Sequence, residues 1–204
     1  MPSKTMRNEV RSLIDDAVSE IHRIMPVRVY PAHTDVLIRK MGNCRKISYQ
    51  KLAELCGCSV KDIIRNLNSA DGCTHFSRKT GRYLVAVNED GRSTGRILWT
   101  TAHELGHIVA GHFLEIDGET LQPCRDMEEE ADYFAASFLA PLEEIWKIRA
   151  RCPSDIRKRF GLSQEASEYR WNEYLRSPYG VGLTVRTIVN PVDIYPGDGE
   201  RWEL

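Results

Sequence analysis

The chain has 204 residues, of which 42% are hydrophobic and 28% are charged, and its formal net charge is −1. This balance is that of an ordinary globular protein, and the small charge excludes an overall field that would draw the chain to nucleic acid or to an anionic membrane. The N-terminus is polar and no apolar run approaches the roughly 18 residues of a membrane span, so we expect a cytoplasmic protein whose six cysteines are reduced.

The first 45 residues predict a helix followed by extended chain. Apolar residues recur every three or four positions as far as Ile24, and Pro26 then ends the pattern, which is typical of an amphipathic helix. Such a helix would either dock on the core of the protein or bind a partner. Residues 27–30 and 35–39 are rich in apolar and β-branched side chains and predict two short extended segments.

Residues 47–67 predict two helices joined by a tight turn at Gly57, with Ser59 as the N-cap of the second helix. This is the spacing of a helix-turn-helix, and Lys61 and Arg65 are residue types that read a DNA groove. No basic cluster surrounds them, so direct DNA binding is not expected. The alternative is that apolar residues pack the two helices against a sheet, namely Leu52, Ala53, Leu55, Ile63 and Ile64.

Residues 73–78 and 82–88 flank a turn that ends at Gly81, and together they predict a β-hairpin. A strand at a free sheet edge can bind an extended peptide through main-chain hydrogen bonds. Residues 73–78 are the candidate for such an edge. A polar loop over residues 89–95 then leads into the next helix.

The strongest motif in the chain is His103-Glu104-Leu105-Gly106-His107, which lies in a predicted helix. Positions four apart lie about 40° from each other on a helix, so His103 and His107 can direct two imidazoles at one metal ion. Glu104 is close enough to hold a metal-bound water. A solvated polar strip is the alternative, and an apolar stripe on the same helix argues against it and favours a zinc hydrolase. That stripe consists of Leu98, Ala102, Leu105 and Val109.

A third ligand is expected on the helix that begins near residue 127. The apolar face of this helix is formed by Met127, Ala131, Phe134, Ala135, Phe138 and Leu142. Glu128 lies about 70° from the centre of that face, whereas Glu129 lies nearly opposite and Glu130 about 90° away. A carboxylate directed toward the core is costly unless it is paired or metal-bound, which favours Glu128 as the ligand.

Asp132 lies one turn after Glu128 and is placed to accept the spare ring N–H of a ligating histidine, most naturally that of His103. Other candidate ligands are less well placed. His112 lies about 140° around the helix from His107 and faces away if the helix continues that far. Cys124 would reach the site only if its loop folded back.

Two further sets of residues are candidate metal ligands, and both are less well placed. Glu115 and Asp117 follow the point where the metal-binding helix is expected to end. Cys56 and Cys58 could join Cys44 or Cys73 in a second zinc site, but their spacing fits no common zinc motif.

Two stretches resemble the ImmA/IrrE family of metallopeptidases: residues 96–107, and Glu128-x-Glu130-Ala131-Asp132-x-Phe134-Ala135 with Leu139-Ala140-Pro141 after it. The resemblance extends to the strand at 82–88 and to residues 159–166, and covers residues 48–175. It implies a gluzincin-like zinc endopeptidase of prokaryotes and their mobile elements. The family's known substrates include helix-turn-helix repressors.

The resemblance also assigns roles by position. His103, His107 and Glu128 would bind Zn²⁺, and Glu104 would act as the general base. The family often has asparagine where this chain has Asp132, but a carboxylate can still accept the imidazole proton, so the ligand set stands.

These elements predict an α+β protein with a zincin-like metallopeptidase domain at residues 46–176, mostly helical with a small mixed β-sheet. An N-terminal helix and extended segment precede it at residues 1–45. Downstream of the motifs, we expect helix over residues 142–151, a short helix capped by Ser154, and a helix over residues 164–176. Residues 177–204 are rich in proline and glycine and predict an extended tail with one strand at 181–189.

We therefore expect a zinc-dependent endopeptidase that cuts a protein substrate and contacts no membrane. The resemblance implies that this substrate is a transcriptional repressor of a mobile element or stress regulon. One alternative is a zinc-stabilised regulatory protein that binds a partner without proteolytic turnover. The other is a DNA-binding factor that uses residues 48–67.

Overall fold

The computed structural model describes residues 8–25, 30–114 and 121–180. The first part contains α1 (Asn8–Ile24), α2 (Thr34–Met41), β1 (Cys44–Ser48), α3 (Tyr49–Cys56), α4 (Val60–Leu67), β2 (Gly72–Ser77) and β3 (Arg82–Val87). The helices that follow are α5 (Thr94–Val109), α6 (Arg125–Leu139), α7 (Leu142–Lys147), α8 (Pro153–Phe160) and α9 (Gln164–Arg176). The predicted α+β class, mostly helical with a small mixed sheet, is confirmed. No helix in these ranges is long and apolar enough to cross a bilayer.

The three strands form one mixed sheet in the order β1-β3-β2. β3 pairs in parallel with β1 and antiparallel with β2, so the predicted hairpin is confirmed. Within the described residues, β2 pairs with β3 and with no other strand, and it therefore lies at an edge of the sheet.

The sheet separates two apolar clusters because successive side chains of a strand point to opposite faces. Val85 and Val87 belong to the larger cluster, which also contains the buried faces of α5 and α6. Ala86, between them, belongs to a smaller cluster with Tyr49 of α3 and Ile63 of α4. The predicted helix-turn-helix pair therefore packs on one face of the sheet.

Helix α1 docks on α6, which is one of the two roles expected for it. Its apolar side is buried in the larger cluster through Ile14, Val18 and Ile21. Two polar contacts fix the pairing. The hydroxyl of Tyr133 donates to the carboxylate of Asp15 at 3.0–3.1 Å, and a ring nitrogen of His22 lies 3.2 Å from the carbonyl oxygen of Phe138.

The structure corrects two predictions in the N-terminal part. Residues 35–39 are not extended, because they form most of α2, where Leu37 and Ile38 are buried together with Thr34. Their apolar run is too short for its period to distinguish a strand from a buried helix. Strand β1 was missed, and its last residue, Ser48, is the N-cap of α3 and accepts a hydrogen bond from the N–H of Lys51.

Smaller predictions differ as well. Leu55 was expected to pack against the sheet but is 68% exposed. The helix expected over 142–151 ends at Lys147. Helix α8 begins with Cys152 as its N-cap and Pro153 in its first turn, so Ser154 does not cap it. Residues 27–29 and the strand predicted at 181–189 lie outside the described residues.

Helices α5 and α6 are in close contact at Gly106. A Cβ atom at this position would lie 2.9 Å from the carbonyl oxygen of Ala131, 3.0 Å from the Cα of Ala131 and 3.2 Å from the Cβ of Phe134. These neighbours are mostly backbone and cannot rotate away. Glycine at this position therefore sets how closely the two helices approach.

We expect Gly106→Ala to lower the free energy of unfolding of the metal-free protein. Alanine gains about 1 kcal/mol of helix propensity, but a methyl group pressed against backbone atoms costs about 2–3 kcal/mol, the upper part of the usual range for overpacking, so the net loss should be about 1–2 kcal/mol. Urea unfolding followed by circular dichroism measures this change. A variant as stable as the parent would show that the two helices can separate without cost.

Candidate metal centre

Helix α5 is anchored so that its histidines face α6. The side chain of Ser93 accepts a hydrogen bond from the N–H of Arg96 and caps the start of the helix. Ala102 and Leu105 are fully buried, which fixes the rotation of α5 about its axis. The second half of the helix therefore presents its motif to α6 across the contact at Gly106.

The structure brings His103, His107 and Glu128 together. The Nε2 atoms of the two imidazoles are 3.1 Å apart, and the carboxylate oxygens of Glu128 lie 3.3 Å from His103 Nε2 and 3.6 Å from His107 Nε2. Tetrahedral zinc with bonds of about 2.0–2.1 Å separates neighbouring ligand atoms by about 3.3 Å. The three side chains therefore fit one small divalent cation, and they are the group among the described residues that could hold one.

The charges of this group are strongly coupled. Burial lowers the pKa of His103, but hydrogen bonds with Asp132 and Glu128 outweigh burial and raise that pKa to about 10. The imidazoles of His103 and His107 beside it hold the pKa of Glu128 well below its ordinary value, although burial opposes them. Glu128 is thus anionic at neutral pH, and positive charge between these side chains is favoured.

Asp132 lies where the sequence places it. Its Oδ1 atom is 2.8 Å from Nδ1 of His103, on the opposite side of the ring from the nitrogen that faces Glu128. A carboxylate can only accept a hydrogen bond, so His103 donates through Nδ1, and Nε2 is the nitrogen that can offer a lone pair to a cation once it gives up its proton.

Glu104 is buried beside the group and is held by β2. The hydroxyl of Thr74 donates to its Oε2 atom at 2.8 Å. Burial raises the pKa of Glu104, and the hydrogen bond from Thr74 opposes that rise. A Cβ atom on Gly72 would lie 2.5 Å from Thr100 Cγ2 and 3.2 Å from Glu104 Oε1, so the strand approaches the carboxylate closely only because residue 72 is glycine.

His112 was expected to face away from the site only if α5 continued that far, and the helix does not. Helix α5 ends at Val109, and Gly111 adopts a left-handed conformation with φ of +77°. The N–H groups of Gly111 and His112 bond back to the carbonyl oxygens of Ile108 and His107, as in a Schellman motif. This turn brings the buried His112 ring back beneath the helix, where its Nδ1 is 2.8 Å from Nδ1 of His107.

Glu130 is a second polar residue that the sequence did not assign to the site. Its Oε2 atom lies 3.0 Å from Nε2 of His112. The signal for both residues was the Ala110-Gly111 pair at the end of α5, since a glycine after a helix permits the chain to reverse. Thr74 was also missed, because only the pairing of β2 with β3 places it against α5.

The remaining candidate ligands do not join the group. Cys124 is exposed and is the N-cap of α6. The six cysteines are free thiols, and none belongs to a cluster that could hold a metal ion within the described residues. Glu115 and Asp117 lie outside those residues.

The group opens onto a cleft of about 910 Å³. One wall consists of the end of α4, the loop after it and the start of β2, and the other is formed by the first part of α9. The floor is α5 with His103, Glu104 and His107, and Trp99 and Tyr169 provide aromatic surface. A segment of another chain could reach the group from solvent through this cleft.

No curated protein matches the chain by sequence. A solved structure of a Mycobacterium tuberculosis transcriptional regulator matches with a TM-score of 0.52 at 15% sequence identity. The match covers 85% of this chain and 49% of the regulator, so the chain spans about half the length of that protein, and the likeness shows a shared fold.

A family model identifies the protein family as well as the fold. The model of Peptidase_M78, the IrrE N-terminal-like domain, matches residues 59–172, which is more than half of the chain. The match includes β2 and β3 as well as α5 and α6, the elements that assemble the three grouped side chains and the carboxylate beside them. The chain belongs to the Peptidase_M78 family, the ImmA/IrrE family of metallopeptidases that its motifs resemble.

Proposed function

We propose that the protein is a zinc-dependent endopeptidase that hydrolyses a peptide bond in a protein substrate, with helix-turn-helix transcriptional repressors as the substrate class. The observation that carries this proposal is the convergence of His103, His107 and Glu128 beside a buried, hydrogen-bonded Glu104 at the floor of an open cleft. The substrate class rests on the family to which the chain belongs.

His103, His107 and Glu128 are the proposed ligands. Two imidazoles and one carboxylate form a ligand set of catalytic zinc sites, which leaves one position open. Zinc in such a set supplies Lewis acidity, which lowers the pKa of water and polarises a carbonyl group. Asp132 orients His103 through its Nδ1 atom, as the 2.8 Å contact indicates.

Glu104 is the proposed general base. Its position on the helix between the two histidines places its carboxylate next to the water that would attack the peptide carbonyl carbon. It takes one proton from that water as the carbon–oxygen bond forms, and then delivers the proton to the amine that leaves as the carbon–nitrogen bond breaks. Thr74 holds the carboxylate during both transfers through the bond to Oε2.

Strand β2 is the proposed docking edge for the substrate. It lies at the edge of the sheet, and Gly72, Cys73 and Thr74 line the cleft. A peptide that adds to this edge would run past Glu104, because Thr74 contacts that residue directly. Main-chain pairing requires an extended substrate segment, which a repressor would have to supply from a linker or a locally unfolded region.

The ligand proposal predicts the effect of single substitutions on metal content. The parent protein should retain one equivalent of zinc after dialysis, whereas His107→Ala and Glu128→Gln should retain much less than one, since each loses a ligand. Elemental analysis measures the content. Glu129→Gln is the matched control, because Glu129 pairs with Arg125 of the same helix. Equal zinc in all four proteins would place the metal elsewhere.

The base proposal predicts that Glu104→Gln binds zinc but cleaves at least about 10²-fold more slowly, since general base catalysis contributes about 10²–10⁴-fold. The assay incubates the full chain with the purified repressor encoded beside its gene and follows fragments by mass spectrometry. A chelator should stop cleavage by the parent, and added zinc should restore it. Cleavage by the glutamine variant at the parental rate would rule out this role. An intact repressor with zinc-loaded parent protein would favour regulation without turnover.

Thr74→Val tests how Glu104 is held. Valine keeps the shape of threonine but removes the hydroxyl that donates to Oε2, and a hydrogen bond to a charged group contributes about 1.5–3 kcal/mol. We expect kcat to fall about 10-fold or more, with zinc content and KM little changed. Steady-state kinetics on the same repressor separates these terms, and an unchanged kcat would show that the hydroxyl does not position the base.

A further inference from the structure

A chain of polar contacts lies on the side of His107 that faces away from the cleft. Nδ1 of His107 is 2.8 Å from Nδ1 of His112, and Nε2 of His112 is 3.0 Å from Oε2 of Glu130. The two imidazoles are buried, and the side chain of Glu130 is 23% exposed. The opposite nitrogen of His107, Nε2, faces His103 and Glu128.

The chemistry of these groups determines which atom donates and which accepts in each hydrogen bond. A carboxylate only accepts hydrogen bonds, so the N–H of His112 is at Nε2, where it donates to Glu130. A neutral His112 then has a bare Nδ1, which can only accept. The proton between the two rings therefore belongs to Nδ1 of His107. With Nδ1 protonated, a neutral His107 has its lone pair at Nε2, on the side of the metal group.

We propose that His112 and Glu130 set the tautomer of His107, and that His112 is thereby a positioning residue for this ligand. The inference rests on the proposed role of His107 as a metal ligand. The two histidines of the motif are then fixed in the same way through Nδ1. For His103 the carboxylate of Asp132 acts directly, and for His107 the carboxylate of Glu130 acts through an intervening imidazole.

The arrangement follows from the fold. Asp132 and Glu130 lie on the same helix two residues apart, and they project to different sides of it. Asp132 reaches the exposed side of α5 and contacts His103 directly. Asp132 contacts His103 and not the buried ring of His107. The chain reversal at Gly111 instead places His112 between His107 and Glu130.

The experiment uses the full chain with and without zinc. Long-range ¹H–¹⁵N spectra of the histidine side chains show which ring nitrogen carries the proton, and the signal of His107 is assigned by its loss in His107→Gln. In the metal-free parent we expect His107 to be protonated at Nδ1. A parent protein with the proton on Nε2 of His107 would overturn the inference, whether or not zinc binds.

The second readout is zinc affinity, measured by competition with a chromophoric chelator. His112→Leu removes the acceptor and should weaken zinc binding by about 10–100-fold, the usual cost of losing a group that orients a ligand. His112→Asn places an amide oxygen near the position of Nδ1 and should restore most of that loss. The amide of Glu130→Gln can donate as well as accept, so it no longer fixes which nitrogen of His112 and of His107 carries the proton. This variant should therefore bind zinc more weakly, whereas Glu129→Gln should bind zinc like the parent.

The outcomes separate this inference from the proposed function. A parent protein that binds no zinc refutes the proposed metal centre. The inference about His112 is then tested by the tautomer of His107 alone: a proton on Nδ1 supports it and a proton on Nε2 overturns it. Zinc binding that is tight and equal in the parent, His112→Leu and Glu130→Gln refutes the positioning role and leaves the metal centre intact. If His112→Leu does not fold, the zinc affinity of Glu130→Gln and the spectrum of the parent protein still test the positioning role.

Discussion

The site depends on the close contact of two helices at Gly106 and Ala131. Because residue 106 has no side chain, the backbone of α6 approaches α5 to within the distance of direct atomic contact. His103 and His107 flank Gly106 on one helix, and Glu128 lies one turn before Ala131 on the other. Any wider separation would move Glu128 out of reach of the imidazoles. A packing constraint in the core is therefore also the constraint that assembles the metal group.

Acidic side chains surround the histidines and favour the binding of a cation between them. Asp132 contacts one ring and Glu130 reaches the other through His112, while Glu128 faces both. Burial of so many polar groups is costly unless each has a partner, and these contacts supply the partners. They also place both Nε2 atoms next to each other and beside the carboxylate of Glu128. The same chain of contacts thus satisfies the buried polar groups and orients the candidate ligands.

The fold separates the chemical groups from the surfaces that would select a substrate. The former come from α5 and α6, which are buried and packed on each other, with β2 adding Thr74. The latter are the edge of β2, the end of α4 and the start of α9, which form the walls of the cleft. Changes in these walls would alter what enters the cleft with little effect on the metal group. This division explains why the metal-binding motif of this chain can be read from its sequence while its substrate cannot.

The sequence by itself determined the three candidate ligands and Asp132, because helical periodicity fixes which side chains share a face over three or four residues. It likewise determined the hairpin and the two helices before it, since glycine and capping residues act locally. It did not determine α2 or β1, whose runs of five to eight residues are too short for their period to be distinctive. Only the tertiary structure decided that His112 turns back to His107, that Glu130 meets it, and that Thr74 holds Glu104. Those contacts join residues on separate helices, strands and turns. The distance between such elements is set by how they pack, and no local pattern in the sequence encodes it.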